Sequence, residues 1–175
     1  MTMKRLKLPI ILATLIFSIG CDQVTKIAAR DHLQGQQMQS YIGDTFRLTY
    51  AENSGAFLSL GSTLPDTWRT IIFVVLVAIF LGGFFIWMLR SKHLTWTALM
   101  ASTLIVGGGI GNLIDRVVFD GKVTDFMNMG IGDLRTGIFN VADIWIVVGA
   151  VMMIIVSFQK PPEEEETPQT QEELS

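Results

Sequence analysis

A chain of 175 residues that is half hydrophobic, only 17% charged, and apolar in long uninterrupted runs has the composition of a polytopic membrane protein. Its net charge of −3 is carried by the end of the chain, because residues 161–175 hold six acidic residues and no basic ones. One cysteine excludes an internal disulfide framework and a thiolate metal site, two isolated histidines (His32, His93) argue against a zinc cluster, and no nucleic-acid motif is present, so neither metal nor cofactor is expected.

The first apolar run follows Lys4, Arg5 and Lys7 and covers only residues 8–20 before Asp22, which is how a secretory signal begins. Ser18-Ile19-Gly20-Cys21 also resembles a lipobox, although Ser18 stands where leucine is usual. Three further apolar runs follow, and a helix can continue through Asp22 to Ala29, which sets a first span at about 8–29. Residues 30–69 alternate in character around Thr45-Phe46-Arg47-Leu48-Thr49-Tyr50 and contain Gly and Asn turns, which predicts a small β-structured cap. Residues 70–89 contain no charge and form the clearest span; 94–114 and 138–158 complete the set, the last interrupted near its start by Asn140 and Asp143. The connection 116–137 is too glycine-rich for a long helix. The expected fold is an all-α membrane protein with four transmembrane helices and a small β-rich extracytoplasmic cap between spans one and two. It occupies residues 1–160, and 161–175 form a disordered acidic cytoplasmic tail.

Basic residues gather at 4–7, in the tight loop 90–93 and at Lys160, which four spans place on one side; both termini are then cytoplasmic. With that parity the polar residues of the spans fall at one level near the outer face. Asp22, Gln23 and Lys26 close span one, Asn112, Asp115 and Arg116 close span three, and Asn140 and Asp143 open span four. Within each helix they are three or four residues apart and share a face. Ionisable groups cost roughly 2.5–3.5 kcal/mol each at mid-bilayer on insertion scales, so a converging set points to function. Gly107 and Gly111 form a small-xxx-small seam, read as packing.

Each of these residues has a bland reading: an interfacial Asp22–Lys26 pair, an anchoring Asp115-Arg116 pair, a helix-terminal Asp143, a turn at Asn53, a connecting residue at Asp125. Their occurrence at one level outweighs it. No Ser–His pair is available outside and Cys21 lacks a histidine base, so carboxylates remain. Two aspartates held close share a proton and supply an acid and a base together, which hydrolyses amides without a covalent intermediate.

Five segments in order resemble the lipoprotein signal peptidases, also called signal peptidase II. They are Asp22-Gln23-Val24-Thr25-Lys26, Asn53-Ser54-Gly55-Ala56-Phe57, Gly111-Asn112-Leu113-Ile114-Asp115-Arg116, Val123-Thr124-Asp125-Phe126 and Phe139-Asn140-Val141-Ala142-Asp143. The resemblance implies a catalytic dyad of Asp125 and Asp143, with Asp22, Lys26, Asn53, Gly55, Asn112, Asp115, Arg116 and Asn140 as supporting or substrate-positioning residues. It implies as substrate a diacylglyceryl-modified prolipoprotein, cut on the N-terminal side of the lipidated cysteine, and a monomer of the bacterial inner membrane in contact with membrane lipid. The chain departs from the family at Ile144, where many members have a small hydroxyl residue, and in the second motif, which usually has another small residue before its aromatic. Gly130-Ile131-Gly132-Asp133 matches the GxGD signature of presenilin-type proteases but lies outside any span and lacks a Tyr-Asp partner. The alternatives are an ion or proton transporter, which would require polar residues through the whole depth, and a lipoprotein anchored through Cys21.

Overall fold

The computed structural model describes residues 3–55, 63–91 and 94–158. The acidic tail 161–175, His93, Lys160 and the end of the second motif (Ala56, Phe57) lie outside the described residues.

Helix α1 (Met3–Leu33) is one continuous helix that carries Cys21 in its interior. It leads to strands β1 (Gln39–Tyr41) and β2 (Phe46–Asn53). The second span begins with α2 (Asp66–Thr70), passes through a π-helical stretch at Ile71–Leu76 and continues as α3 (Val77–Arg90). Helix α4 (Trp96–Val118) follows, its N-terminus capped by Thr95, whose side chain accepts the Ala98 N–H. Strands β3 (Val123–Ile131) and β4 (Leu134–Arg135) then precede α5 (Val141–Ser157). Inside a bilayer every backbone group must find its partner within the protein, which is why the apolar runs close into helices. Three of these helices are long and apolar enough to cross a membrane, and α5 is a shorter apolar helix of 17 residues.

The expected span limits shift at both ends. Helix α1 runs four residues beyond Ala29 and α4 four beyond Ile114, so Lys26 sits within α1 ahead of its last turn, and Asp115 and Arg116 are held inside α4, in its last turn. The fourth helix starts at Val141, three residues later than expected, because Asn140 caps it.

The sheet is larger than one connection could supply. Its four antiparallel strands run β1-β2-β3-β4, and β3 and β4 come from the connection between α4 and α5, which the glycine content had marked only as non-helical. Gly121, at φ +82°, permits the reversal from α4 into β3. The pairing of β2 with β3 sets Asn53 opposite Val123 and Ala51 opposite Asp125, with a register shift between Leu48 and Ala51. Such an irregularity re-aims side chains at the end of a strand. Ala29 and Leu33 of α1 pack with Phe126 of β3, joining the sheet to the bundle at the C-terminal end of α1.

Helix α4 is the centre of the bundle and packs against all three other spans. Its glycines set the spacing. A Cβ on Gly107 would lie 2.1 Å from Ser18 Oγ, one on Gly108 2.4 Å from the Ala142 carbonyl oxygen, and one on Gly111 2.5 Å from Asp22 Oδ2. Across the same seam, a Cβ on Gly149 of α5 would lie 2.6 Å from the Ala101 carbonyl oxygen. The second span touches α4 alone in any extended seam among the described residues, apart from the cluster Ile11–Met88–Leu99 and the Lys7 ammonium on the carbonyls of Met88 (2.8 Å) and Ser91 (2.8 Å).

Gly149→Ala is therefore expected to destabilise the bundle by about 1–3 kcal/mol, because the backbone of Ala101 and Ile105, which cannot swing aside, faces the new methyl together with the Ile105 side chain. Gly83→Ala, with nothing within 4 Å, should stay within about 0.5 kcal/mol. Thermal unfolding of the purified protein in detergent compares the two, and equal midpoints would remove the seam from the argument.

Candidate active site

The two aspartates that the family resemblance singles out reach the site from different supports. Asp125 stands on β3 and Asp143 at the third helical position of α5. The helix start is held by a reciprocal capping box: Asn140 Oδ1 accepts the Asp143 N–H (3.1 Å), and Asp143 Oδ2 accepts the Asn140 N–H (3.1 Å). This fixes the Asp143 carboxylate against a helix N-terminus, where negative charge is favoured.

Three asparagine amides serve the two carboxyls, and two of them, Asn140 and Asn112, link one carboxyl to the other. Asn53 Nδ2 donates to Asp125 Oδ2 (3.0 Å), and Asn140 Nδ2 donates to Asp125 Oδ1 (2.6 Å) and to Asn112 Oδ1 (3.1 Å). Asn112 Nδ2 in turn donates to Asp143 Oδ1 (2.9 Å). Each carboxyl thus receives two N–H donors. Burial, and after it the charge of Asp143, push the Asp125 carboxyl up to about 6, against the opposing bonds from Asn53 and Asn140 and the charge of Lys26.

Behind these amides lies a buried charge cluster. Lys26, with no exposed surface, places its ammonium 2.9 Å from Asp22 Oδ2, 3.5 Å from Asp115 Oδ2 and 2.9 Å from Asn112 Oδ1. Arg30 lies 3.8 Å from Asp115 Oδ2, donates to Thr124 Oγ1 (2.7 Å) and stacks over Phe119 at 4.5 Å. Asp22 Oδ1 accepts the Ala142 N–H (2.8 Å), and Asp115 Oδ2 accepts the Thr124 N–H (2.9 Å). Each of these two aspartates therefore holds the residue that immediately precedes a member of the pair Asp125/Asp143.

Arg116 bounds the other side. It donates to the carbonyl oxygens of Gly55 (2.9 Å) and Asn112 (3.4 Å) and sits over the Phe73 ring at 5.7 Å. Gly55 also donates its N–H to Asn53 Oδ1 (2.9 Å), which turns the Asn53 amide toward Asp125. A cavity of about 370 Å³ lies in front of the pair, lined by Asn53, Asn112, Arg116, Asp125 and Asp143 and by apolar Phe73, Val77, Gly109, Ile138, Ile146 and Val147. Asp22, Lys26, Asp115 and Asn140 do not line it; they support those that do.

All ten residues singled out from the sequence meet in this one layer. Gln23, which the sequence placed at the same level without a role, donates to Asp22 (3.1 Å), Asp115 (3.2 Å) and the Gly111 carbonyl (3.1 Å). Two partners were not singled out: Arg30 completes the charge cluster, and Phe73 forms a wall. Arg30 was legible as the next residue after Asp22 and Lys26 on the same helical face. Phe73, in an unbroken apolar run, carried no signal. Among the described residues no group of three or more His, Cys, Asp or Glu could hold a metal ion.

Residues 14–159 match the model of the family described as signal peptidase II. The chain is 35% identical over 145 residues to the lipoprotein signal peptidase of Maridesulfovibrio salexigens, an alignment covering 83% of this chain and 92% of that one. It is 38% identical over 161 residues to that of Pelodictyon phaeoclathratiforme, covering 85% and 90%. Among solved structures, a bacterial membrane enzyme determined at 2.3 Å by the in meso method shares the fold with a TM-score of 0.76 at 24% identity, covering 91% of this chain and 93% of that one. The transporter and anchored-lipoprotein alternatives gain nothing from these likenesses. With its spans, its sheet and the described residues of its five motifs in one layer, the chain belongs to the signal peptidase II family of bacterial inner-membrane proteases.

Proposed function

We propose that this protein is an aspartic endopeptidase that removes signal peptides from diacylglyceryl-modified prolipoproteins, cutting on the N-terminal side of the lipidated cysteine, with Asp125 and Asp143 as its catalytic dyad. The observation that carries the reading is a pair of carboxyls lining one cavity, each with two amide donors, one of them raised toward neutrality by burial and by the charge of the other.

The chemistry follows from one shared proton. Asp143, ionised at the helix N-terminus, takes a proton from water as the water oxygen attacks the scissile carbonyl carbon. Asp125 gives its proton to the carbonyl oxygen. The tetrahedral diol then collapses: the proton on Asp143 passes to the amide nitrogen, the C–N bond breaks, and a diol hydroxyl returns its proton to Asp125. The dyad ends as it began, and no covalent enzyme intermediate forms.

The cavity walls suit a substrate held in the membrane. Phe73 and Val77 of the second span face Ile146 and Val147 of the fourth, and Val147 is 55% exposed, so the cavity opens between these helices toward lipid. A diacylglyceryl group would lie in that opening, at the depth where its chains are already solvated by the bilayer. The ten residues named above come from one chain, which supports a monomer. The Lys7 ammonium on the carbonyls that end the second span, with Arg90 beside them, supports cytoplasmic termini and an outward-facing sheet.

Three outcomes are expected. Asp125→Asn and Asp143→Asn each remove the titrating group at nearly constant volume and should lower turnover of a diacylglyceryl-modified prolipoprotein by about 10²–10⁴-fold or more, the double variant being little worse. Near-normal turnover in either single variant would take that residue out of the mechanism. The shared proton is held below about pH 6 and lost above it, so kcat/KM should fall as pH rises through that value. The limb in kcat should lie higher, because bound substrate excludes water from Asp125. A kcat/KM flat from pH 5 to 8 would contradict this. Cysteines placed at Gly35 and Gly121 should react with an impermeant reagent from outside, and one at Ser91 only after the membrane is opened. Labelling of Ser91→Cys in intact cells would invert the orientation.

A further inference from the structure

Each asparagine at the dyad must have its carbonyl oxygen claimed by some other donor if its NH2 group is to face a carboxyl. Asn53 Oδ1 accepts the Gly55 N–H (2.9 Å), and Asn140 Oδ1 accepts the Asp143 N–H (3.1 Å), so both amides are set by backbone close in sequence. Asn112 is different. Its Oδ1 accepts no backbone N–H but the Lys26 ammonium (2.9 Å) from another helix, together with Asn140 Nδ2 (3.1 Å). An acceptor this near a cation cannot turn its NH2 group toward it without bringing donor against donor.

We propose that Lys26 is a positioning residue of the reaction: its ammonium holds the Asn112 amide with its N–H on Asp143, and so keeps that carboxylate in place as the base of the pair. The proposal rests on the reading of Asp125 and Asp143 as the dyad. Charge balance alone does not account for the geometry. Asp22 and Asp115 face Lys26 from α1 and α4, and Arg30 flanks Asp115 on its far side. The remaining direction of the ammonium goes to a neutral amide, and that amide touches a catalytic carboxyl. On the cavity side Arg116 is the cation nearest the pair, and it donates to the Asn112 backbone carbonyl, not to the side-chain oxygen.

Replacing Lys26 alone would leave the buried Asp22 and Asp115 with only the half-buried Arg30, which pairs with Asp115, so the test removes one charge of each sign. In Lys26→Met/Asp22→Asn the cluster stays balanced, but Asn112 loses the donor that orients it. Its carbonyl can then turn toward Asp143, which makes both carboxyls hold protons more tightly. With purified full-length protein in detergent and a diacylglyceryl-modified prolipoprotein peptide, kcat per folded molecule should fall about 10–100-fold, the range typical of lost outer supporting partners, with KM within about twofold. The alkaline limb of the pH profile should move up. Asp22→Asn alone keeps the ammonium on Asn112 and should not move that limb upward. Lys26→Gln/Asp22→Asn restores an N–H donor and should recover part of kcat. In an Asn112→Ala background the Lys26 change should cost almost nothing further.

A double variant with wild-type kcat and an unmoved limb would overturn the proposal, as would full additivity with Asn112→Ala. Failure to recover either Lys26 variant from the membrane would make Lys26 a folding residue and overturn it equally. None of these results touches the dyad, whose own failure would show as turnover in Asp125→Asn or Asp143→Asn.

Discussion

Two carboxylates and two cations, Asp22, Asp115, Lys26 and Arg30, are held together toward the C-terminal ends of α1 and α4, and the positions of Asp125 and Asp143 depend on them. Asp22, Lys26 and Asp115 have no exposed surface, so their charges are compensated by one another and by hydrogen bonds, not by water. Removing one partner from such a buried set typically costs about 3–5 kcal/mol, because the others are left uncompensated. The cluster also does spatial work. Asp22 reaches α5 at the Ala142 N–H and Asp115 reaches β3 at the Thr124 N–H, so two elements distant in sequence are fastened one residue short of Asp143 and Asp125.

The glycines of α4 are the steric condition for that cluster. Gly111 leaves the volume that the Asp22 carboxylate fills, and Gly108 lets the first turn of α5 come against the α4 backbone. In a membrane, helix association cannot draw on the hydrophobic effect between apolar surfaces, so close packing and interhelical hydrogen bonds must supply it. The same seam serves both needs here. Helices approach far enough for a carboxylate on α1 to bond a backbone N–H on α5 across the edge of α4, and that bond in turn fixes the helix start on which Asp143 stands.

Much of this was legible in the sequence, for identifiable reasons. Spans announce themselves by length, and ionisable residues inside them stand out because lipid makes them costly, so Asp22, Lys26, Asn112, Asp115, Asn140 and Asp143 could be grouped from the residues alone. Asp125 could not. It lies in a connection where a charged residue carries no penalty, and only the order of the five motifs marked it. Strands β3 and β4 were missed because the glycines of 116–137 argue against helix without arguing for strand, and because pairing of β3 with β2 is a contact between distant segments that no local pattern records. Phe73 was invisible for the opposite reason, since one aromatic in a wholly apolar run is indistinguishable from its neighbours until the fold shows which face meets the cavity.

The division of Asp125 and Asp143, the proposed dyad, between a strand and a helix start has a chemical consequence. Two identical carboxyls in identical surroundings would share a proton evenly and offer no preferred direction for its transfer. Here one is anchored in a capping box at a helix N-terminus, which favours its charged form, while the other sits on a buried strand and is raised toward neutrality. Of the two, the Asp125 carboxyl is the one that burial pushes toward its protonated form. Direction is built in by the supports and not by the residues, which are the same. A change that leaves both aspartates intact but loosens the helix cap or the amide on Asp143 would thus erase the difference between them, and under the proposed mechanism it would slow cleavage.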